Sequence, residues 1–163
     1  MDPHIDPDRF EAWALFLRAY ANVVRLLEDE LEEERGLALT SYEVLLRLSK
    51  AERPWRMHEL ADSLWLSRSG ATRVVEKLES NGLLAREICE GDRRGIQITV
   101  TAEGKRILRA AAPVHLQGIQ EHFTQHLTRT EAAHLRSAFT KILDATEDIN
   151  RKASSPNRQT THA

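Results

Sequence analysis

Cysteine is nearly absent. The single residue Cys89 excludes an internal disulfide and a cysteine-built zinc cluster. No apolar run approaches the roughly 20 residues that a membrane-spanning helix needs, so no membrane partner is expected. The N-terminus lacks the cationic, apolar and small-residue succession of a secretory signal, and the chain is expected to stay in the cytoplasm. There is no glycine-rich phosphate loop and no nucleophile set beside a base at motif spacing. An enzyme is therefore not expected. His115, His122 and His126 are spaced so that one helix stripe can carry them, and His122 with His126 has the four-residue separation of a metal pair. The intervening H-F-T-Q-H lacks the glutamate of a metalloprotease motif. His122 and His126 are read as solvated, and neither a metal nor a cofactor is expected.

Positive charge is also scarce overall. The 163 residues carry a formal net charge of −2, which is awkward for phosphate binding. The balance is uneven, however. Residues 1–35 hold ten acidic and four basic side chains, whereas residues 66–109 hold nine basic and six acidic. Local potential, not the total, decides where a polyanion lands.

The positive stretch is also the most patterned one. In M-H-E-L-A-D-S-L, residues Leu60, Ala61 and Leu64 share a helix face. Leu66 follows in a turn, and Ala71, Val74, Val75 and Leu78 line the next helix. Small Ala61 and Ala71 suit a close crossing. Ser67 is placed to cap the second helix, and Asn81-Gly82 to stop it. Apolar spacing alone fits any helical hairpin. The outward face is more specific: Ser69, Thr72 and Arg73 lie together, Arg68 sits at the N-terminal end, and Lys77 lies further on. Arginine can hold guanine through two hydrogen bonds, while Ser, Thr and Lys serve bases or phosphates. This predicts a DNA-reading helix.

Two short strand-like runs follow, Leu84 to Cys89 and Ile96 to Thr101. In the second, Ile96, Ile98 and Val100 alternate with Gln97 and Thr99, the pattern of a half-buried strand. Between them E-G-D-R-R-G, residues 90–95, has glycine at both ends of an exposed tip. Arg93 and Arg94 suit a narrow, electronegative minor groove. Asp92 can pair with Arg94 and fix the tip's shape. Together the pieces outline a winged helix-turn-helix.

Helical patterns flank this reader. One runs from about Asp8 to Arg35, with a broad apolar face from Phe10 to Leu31, and ends at Gly36. Thr40 and Glu43 are spaced as a capping box for a helix carrying Val44, Leu45 and Leu48. Trp55 to Met57 is a candidate third strand. After the wing, Thr101 can cap a helix running through to Phe123, which Pro113 should kink or divide. Thr128 and Glu131 form another box ahead of a last helix with Leu135, Phe139, Ile142, Leu143 and Ile149. These terminal helices carry more apolar surface than one small domain can cover, which predicts a homodimer; twofold symmetry would match a palindromic site.

The segment from about Leu39 to Gly104 resembles the MarR family of bacterial transcription regulators. The resemblance rests on L-T-S-Y-E-V-L at 39–45, on L-A-D-S-L-W-L-S-R-S-G-A-T-R-V-V-E-K-L-E-S-N-G-L-L at 60–84, and on D-R-R-G with I-Q-I-T-V-T-A-E-G beyond it. With the flanking helices it covers roughly residues 8–152. It implies an obligate homodimer that binds double-stranded DNA at a pseudo-palindromic operator, usually as a repressor and often near its own promoter. It places recognition contacts on Ser67, Arg68, Ser69, Thr72 and Arg73, and wing contacts on Asp92 and Arg94, with Arg93 near phosphate. Trp65 departs from the small residue usual in such turns. The resemblance also implies a small aromatic or phenolic effector between the DNA-binding and dimerisation regions, for which Trp13, Phe16, Tyr20 and Tyr42 are the aromatic candidates; the alternative for each is simple core packing. An oxidant-sensing branch of the family uses a cysteine near the first helix, whereas Cys89 lies in the wing strand. There Arg86 and Arg93 favour a thiolate and Glu87 and Glu90 oppose it.

The resulting expectation is a mainly α fold with a small β-hairpin wing. Residues 1–36 form an N-terminal dimerisation helix, 37–102 the winged helix-turn-helix, 103–152 the C-terminal dimerisation helices and 153–163 a polar tail. The other readings open are a small-molecule-binding or protein-interaction module that uses the winged scaffold without specific DNA binding.

Overall fold

The computed structural model describes residues 5–64, 66–88 and 96–153. Trp65, Cys89 and the wing tip with Asp92, Arg93 and Arg94 lie outside the described residues. The chain divides into two compact units after His122.

In the first unit, α1 spans Pro7–Arg35. The Asp6 carboxylate accepts from the Arg9 N–H at 3.0 Å, and Pro7 occupies the first turn, where a missing N–H costs nothing. Gly36 ends the helix at φ 61°, its N–H returning to the Glu32 carbonyl at 2.9 Å. Helix α2, Leu39–Lys50, corrects the expected capping box. Thr40 is already helical, the N-cap position is Ala38, and no side chain of its own caps the helix. Instead the Glu28 carboxylate of α1 accepts the Leu39 N–H at 2.7 Å. A long-range carboxylate thus satisfies one of the free donors at the start of the helix.

Strand β1, Trp55–Arg56, leads into α3, Met57–Ser63, and a tight turn into α4, Arg68–Ser80. Strands β2, Leu84–Ile88, and β3, Ile96–Val100, pair antiparallel from Leu84 opposite Val100 to Ile88 opposite Ile96. The expected third strand is present: Trp55 lies opposite Ile98, giving the order β1-β3-β2. Alternation puts Ile98 of the central strand in the core at 1% exposure.

The core draws on every element of this unit. Leu31, Val44, Leu45, Leu60, Val75 and Leu78 are all within about one percent of full burial. Each such side chain contributes about 1.5–3 kcal/mol over its exposed state. Ala61 and Ala71, at 2% and 0% exposure, sit where α3 meets α4.

Helix α5, Ala102–His122, begins at Thr101, whose hydroxyl oxygen accepts from the Gly104 N–H at 3.0 Å and donates to the Gly82 carbonyl at 2.7 Å. The expected division at Pro113 does not occur: Ala102–His122 is one continuous helix. Proline removes one helical hydrogen bond, but Ala111, Val114 and His115 on either side are buried and hold the helix across it. The helix does end one residue before Phe123. Thr124–His126 is a 3₁₀ turn, so His122 and His126 do not share an α-helical stripe.

In the second unit, α6 spans Arg129–Ala153. Its capping box is present: the Glu131 carboxylate accepts the Thr128 N–H at 2.8 Å, and the Thr128 hydroxyl accepts the Glu131 N–H at 3.2 Å.

Candidate nucleic-acid interface

The helix-turn-helix is set by backbone hydrogen bonds. The Leu66 N–H donates to the Ala61 carbonyl at 3.1 Å and closes the turn, which brings Ser67 to the start of α4. The Ser67 hydroxyl oxygen accepts the Gly70 N–H at 3.0 Å and lies 3.1 Å from the Ser69 hydroxyl. At the other end Gly82, at φ 70°, turns the chain into β2.

With Ala71, Val75 and Leu78 buried, the opposite face of α4 turns to solvent. Ser67, Arg68, Ser69, Arg73 and Lys77 are exposed there and Thr72 is half-buried. Thr72 donates to the Arg68 carbonyl at 2.8 Å, which leaves its oxygen lone pairs to accept from a ligand. No ion pair engages Arg68, Arg73 or Lys77 among the described residues. Their charge is available, and the N-terminus of α4 adds a partial positive charge beside Arg68. Arg86 differs. Its guanidinium lies 2.9 Å from the Glu79 carboxylate, tying β2 to α4.

The four aromatic candidates separate in space. Trp13, Phe16 and Tyr20 form a tilted ladder on α1, with ring centroids 5.8 and 6.2 Å apart, and all three are exposed. Tyr42 is 2% exposed, with its ring 4.5 Å from His115. Burial, and then the Glu43 carboxylate, push its phenol upward.

Of the four, Tyr20 lines a cleft of about 520 Å³ between α1, α2, α5 and the α3–α4 turn. Its apolar wall includes Val24, Leu27, Ile119 and, from the turn, Leu64 and Leu66; its polar groups are Thr40, Glu43, Arg47 and His115. His115 is 7% exposed, and its Nδ1 has no hydrogen-bond partner among the described residues; neither has Nε of Arg47. Burial depresses the His115 pKa, and Glu43, 4.0 Å away, only partly opposes it. Sequence reading missed Glu43, Arg47 and His115 as cleft residues. His115 follows Leu108 and Ala111 on one apolar stripe, a signal that was present for its burial but not for the cleft.

Comparison with known proteins places this geometry. Residues 37–96 match the model of the MarR family. The HTH-type transcriptional regulator SarZ of Staphylococcus epidermidis is 28% identical over 133 residues, 81% of this chain and 88% of that one. The crystal structure of AbsC, a MarR family transcriptional regulator from Streptomyces coelicolor, superimposes with a TM-score of 0.81 at 29% identity, over 89% of this chain and 98% of that one. A second MarR family regulator from that organism, solved in complex with DNA, gives 0.81 at 26% identity, over 88% and 94% of the two chains.

Proposed function

We propose that this chain, a member of the MarR family, is a DNA-binding transcriptional regulator that works as a homodimer and represses from an operator near its own gene. The observation that carries the reading is the exposed set Arg68, Arg73 and Lys77, without an ion pair among the described residues, on a helix whose other face is locked into the core. Two such helices related by a twofold axis would enter successive major grooves. The wing arginines, Arg93 and Arg94, would follow into the flanking minor grooves.

Two features support the rest. Helix α1 leaves Phe10, Trp13, Leu15, Leu17 and Tyr20 at 44–60% exposure, and Ile142, Leu143 and Ile149 of α6 are 49–65% exposed. Exposed apolar side chains on each of these helices favour association, here with a second copy. The cleft supports an effector: an aromatic ring would meet its apolar wall, and a phenolate or carboxylate would meet Arg47 and His115 Nδ1, which has no hydrogen-bond partner among the described residues. Because Leu64 and Leu66 flank the helix-turn-helix turn, a ligand there would favour one setting of α4 over another.

The test is fluorescence anisotropy with the DNA upstream of the chain's own gene, excess nonspecific competitor and a salt series. Specific binding should weaken steeply with salt. Arg73→Ala should cost about 1–3 kcal/mol of specific affinity, and Arg94→Ala should reduce the salt slope. Parent-like binding by both variants would refute this map of the surface. No specific binding at any salt, with an aromatic acid still bound, would instead favour a small-molecule-binding module.

A further inference from the structure

Glu30 of α1 and Glu121 and His122 of α5 offer one imidazole nitrogen and two carboxylate oxygens, all within 4.8 Å of one another. Glu30 and His122 are 92 residues apart in sequence and meet at 2.5 Å between Glu30 Oε1 and His122 Nε2. Both are partly shielded, with side chains 31% and 21% exposed. We infer that these three side chains form a binding site for a divalent transition metal ion of the zinc class.

The backbone is shaped for the cluster. Gly118 lies one turn before His122 on α5, and a Cβ built on it would come within 2.4 Å of Glu30 Oε2 and 2.6 Å of Leu27 Cδ2. A glycine within a helix costs about 0.5–1 kcal/mol relative to alanine. Here its bare face lets the Glu30 carboxylate lie along α5, one oxygen over Gly118 and the other on His122. Glu121 and His122, three and four residues beyond Gly118, lie on the same side of the helix. Gln117 donates to Glu121 Oε1 at 2.8 Å and orients that carboxylate, as outer partners of metal ligands do.

The donor set decides the kind of ion. An imidazole disfavours magnesium and calcium and suits zinc, cobalt or nickel. Three protein ligands leave a position for water, as in open zinc sites. Tetrahedral bonds of about 2.0–2.1 Å set donors roughly 3.3 Å apart, so small side-chain rotations within the present cluster suffice. The Glu30–His122 hydrogen bond would open, the imidazole proton would leave to solvent, and the ion would clamp α1 to α5. This site is separate from the cleft and from α4, and it stands whether or not the chain binds DNA.

The test is zinc titration of chelator-treated full-length protein by calorimetry, with competition by a chromogenic chelator. One zinc per chain should bind and raise the melting temperature, and cobalt should compete while excess magnesium should not. His122→Ala and Glu30→Gln should each weaken zinc binding at least tenfold, Glu121→Gln should weaken it less, and His58→Ala, outside the cluster, should leave it unchanged. Circular dichroism in chelator should show all four variants folded. Absence of saturable binding, or undiminished binding in both His122→Ala and Glu30→Gln, would overturn the assignment. If one of those two variants fails to fold, the other together with Glu121→Gln decides.

Discussion

Gly104 offers a sharp test of how the wing is joined to the long helix that follows it. It lies in the first turn of α5, where a Cβ would come within 2.2 Å of the Leu83 carbonyl oxygen, 3.1 Å of the Leu83 carbonyl carbon and 2.8 Å of Val100 Cγ1. The obstacle is backbone, so no rotamer change relieves it. Gly104→Ala must move α5 away from Leu83 by about 1 Å to restore ordinary contact. That movement strains two hydrogen bonds at the same junction, from the Thr101 N–H to the Leu83 carbonyl at 3.1 Å and from the Thr101 hydroxyl to the Gly82 carbonyl at 2.7 Å. Overpacking costs about 1–3 kcal/mol and a weakened hydrogen bond about 1 kcal/mol. The gain in helix propensity returns about 0.5–1 kcal/mol. The net is a loss of about 2 kcal/mol, or about 4–8 °C in melting temperature for a chain of this size. Thermal unfolding at fixed protein concentration measures it. Gly118→Ala is the comparison: its Cβ meets the ends of the Glu30 and Leu27 side chains, which can rotate away, so its loss should be smaller. If Gly104→Ala is as stable as the parent, or less affected than Gly118→Ala, the argument from close approach fails.

Two further predictions concern acid and assembly. Burial depresses the His115 pKa below its ordinary 6.5, so folding favours the neutral ring. Its contribution is complete above about pH 6.5 and declines as the pH falls below it. His115→Phe should flatten the stability profile on that acid side, as measured by urea unfolding from pH 5 to 8 (about the usual stability range); an unchanged slope would remove His115 as its cause. Trp13→Glu combined with Leu17→Glu places two charges on the exposed face of α1 and should convert the dimer to monomer in sedimentation velocity without loss of helical signal. A parent that is itself monomeric at micromolar concentration would refute the dimer proposal.

What sequence reading recovered follows the range of the interactions. Apolar periodicity marked α3, α4 and α5, and β3 by its alternation. The Ser67 cap, the Gly36 and Gly82 stops, the Thr101 cap and the Thr128–Glu131 box are each complete within a few residues, and all were legible. The Thr40–Glu43 box had the same signature and failed, because the helix starts earlier, at Leu39, where Glu28, eleven residues before it, accepts the Leu39 N–H. Pro113 does not divide α5, because buried residues on both sides hold the helix across it.

The linear order of residues by itself therefore determined most of the elements and the cationic face of α4, since helix and strand periods and caps are properties of neighbouring residues. Only the tertiary structure decided which groups meet across the chain. Folding put Tyr42 into the core and left Tyr20 on the cleft. It buried His115 beside Glu43, brought Glu30 to His122, and set Gly104 against the Leu83 carbonyl. Those juxtapositions depend on how whole helices pack, and no short-range pattern encodes the angle and register at which two helices cross.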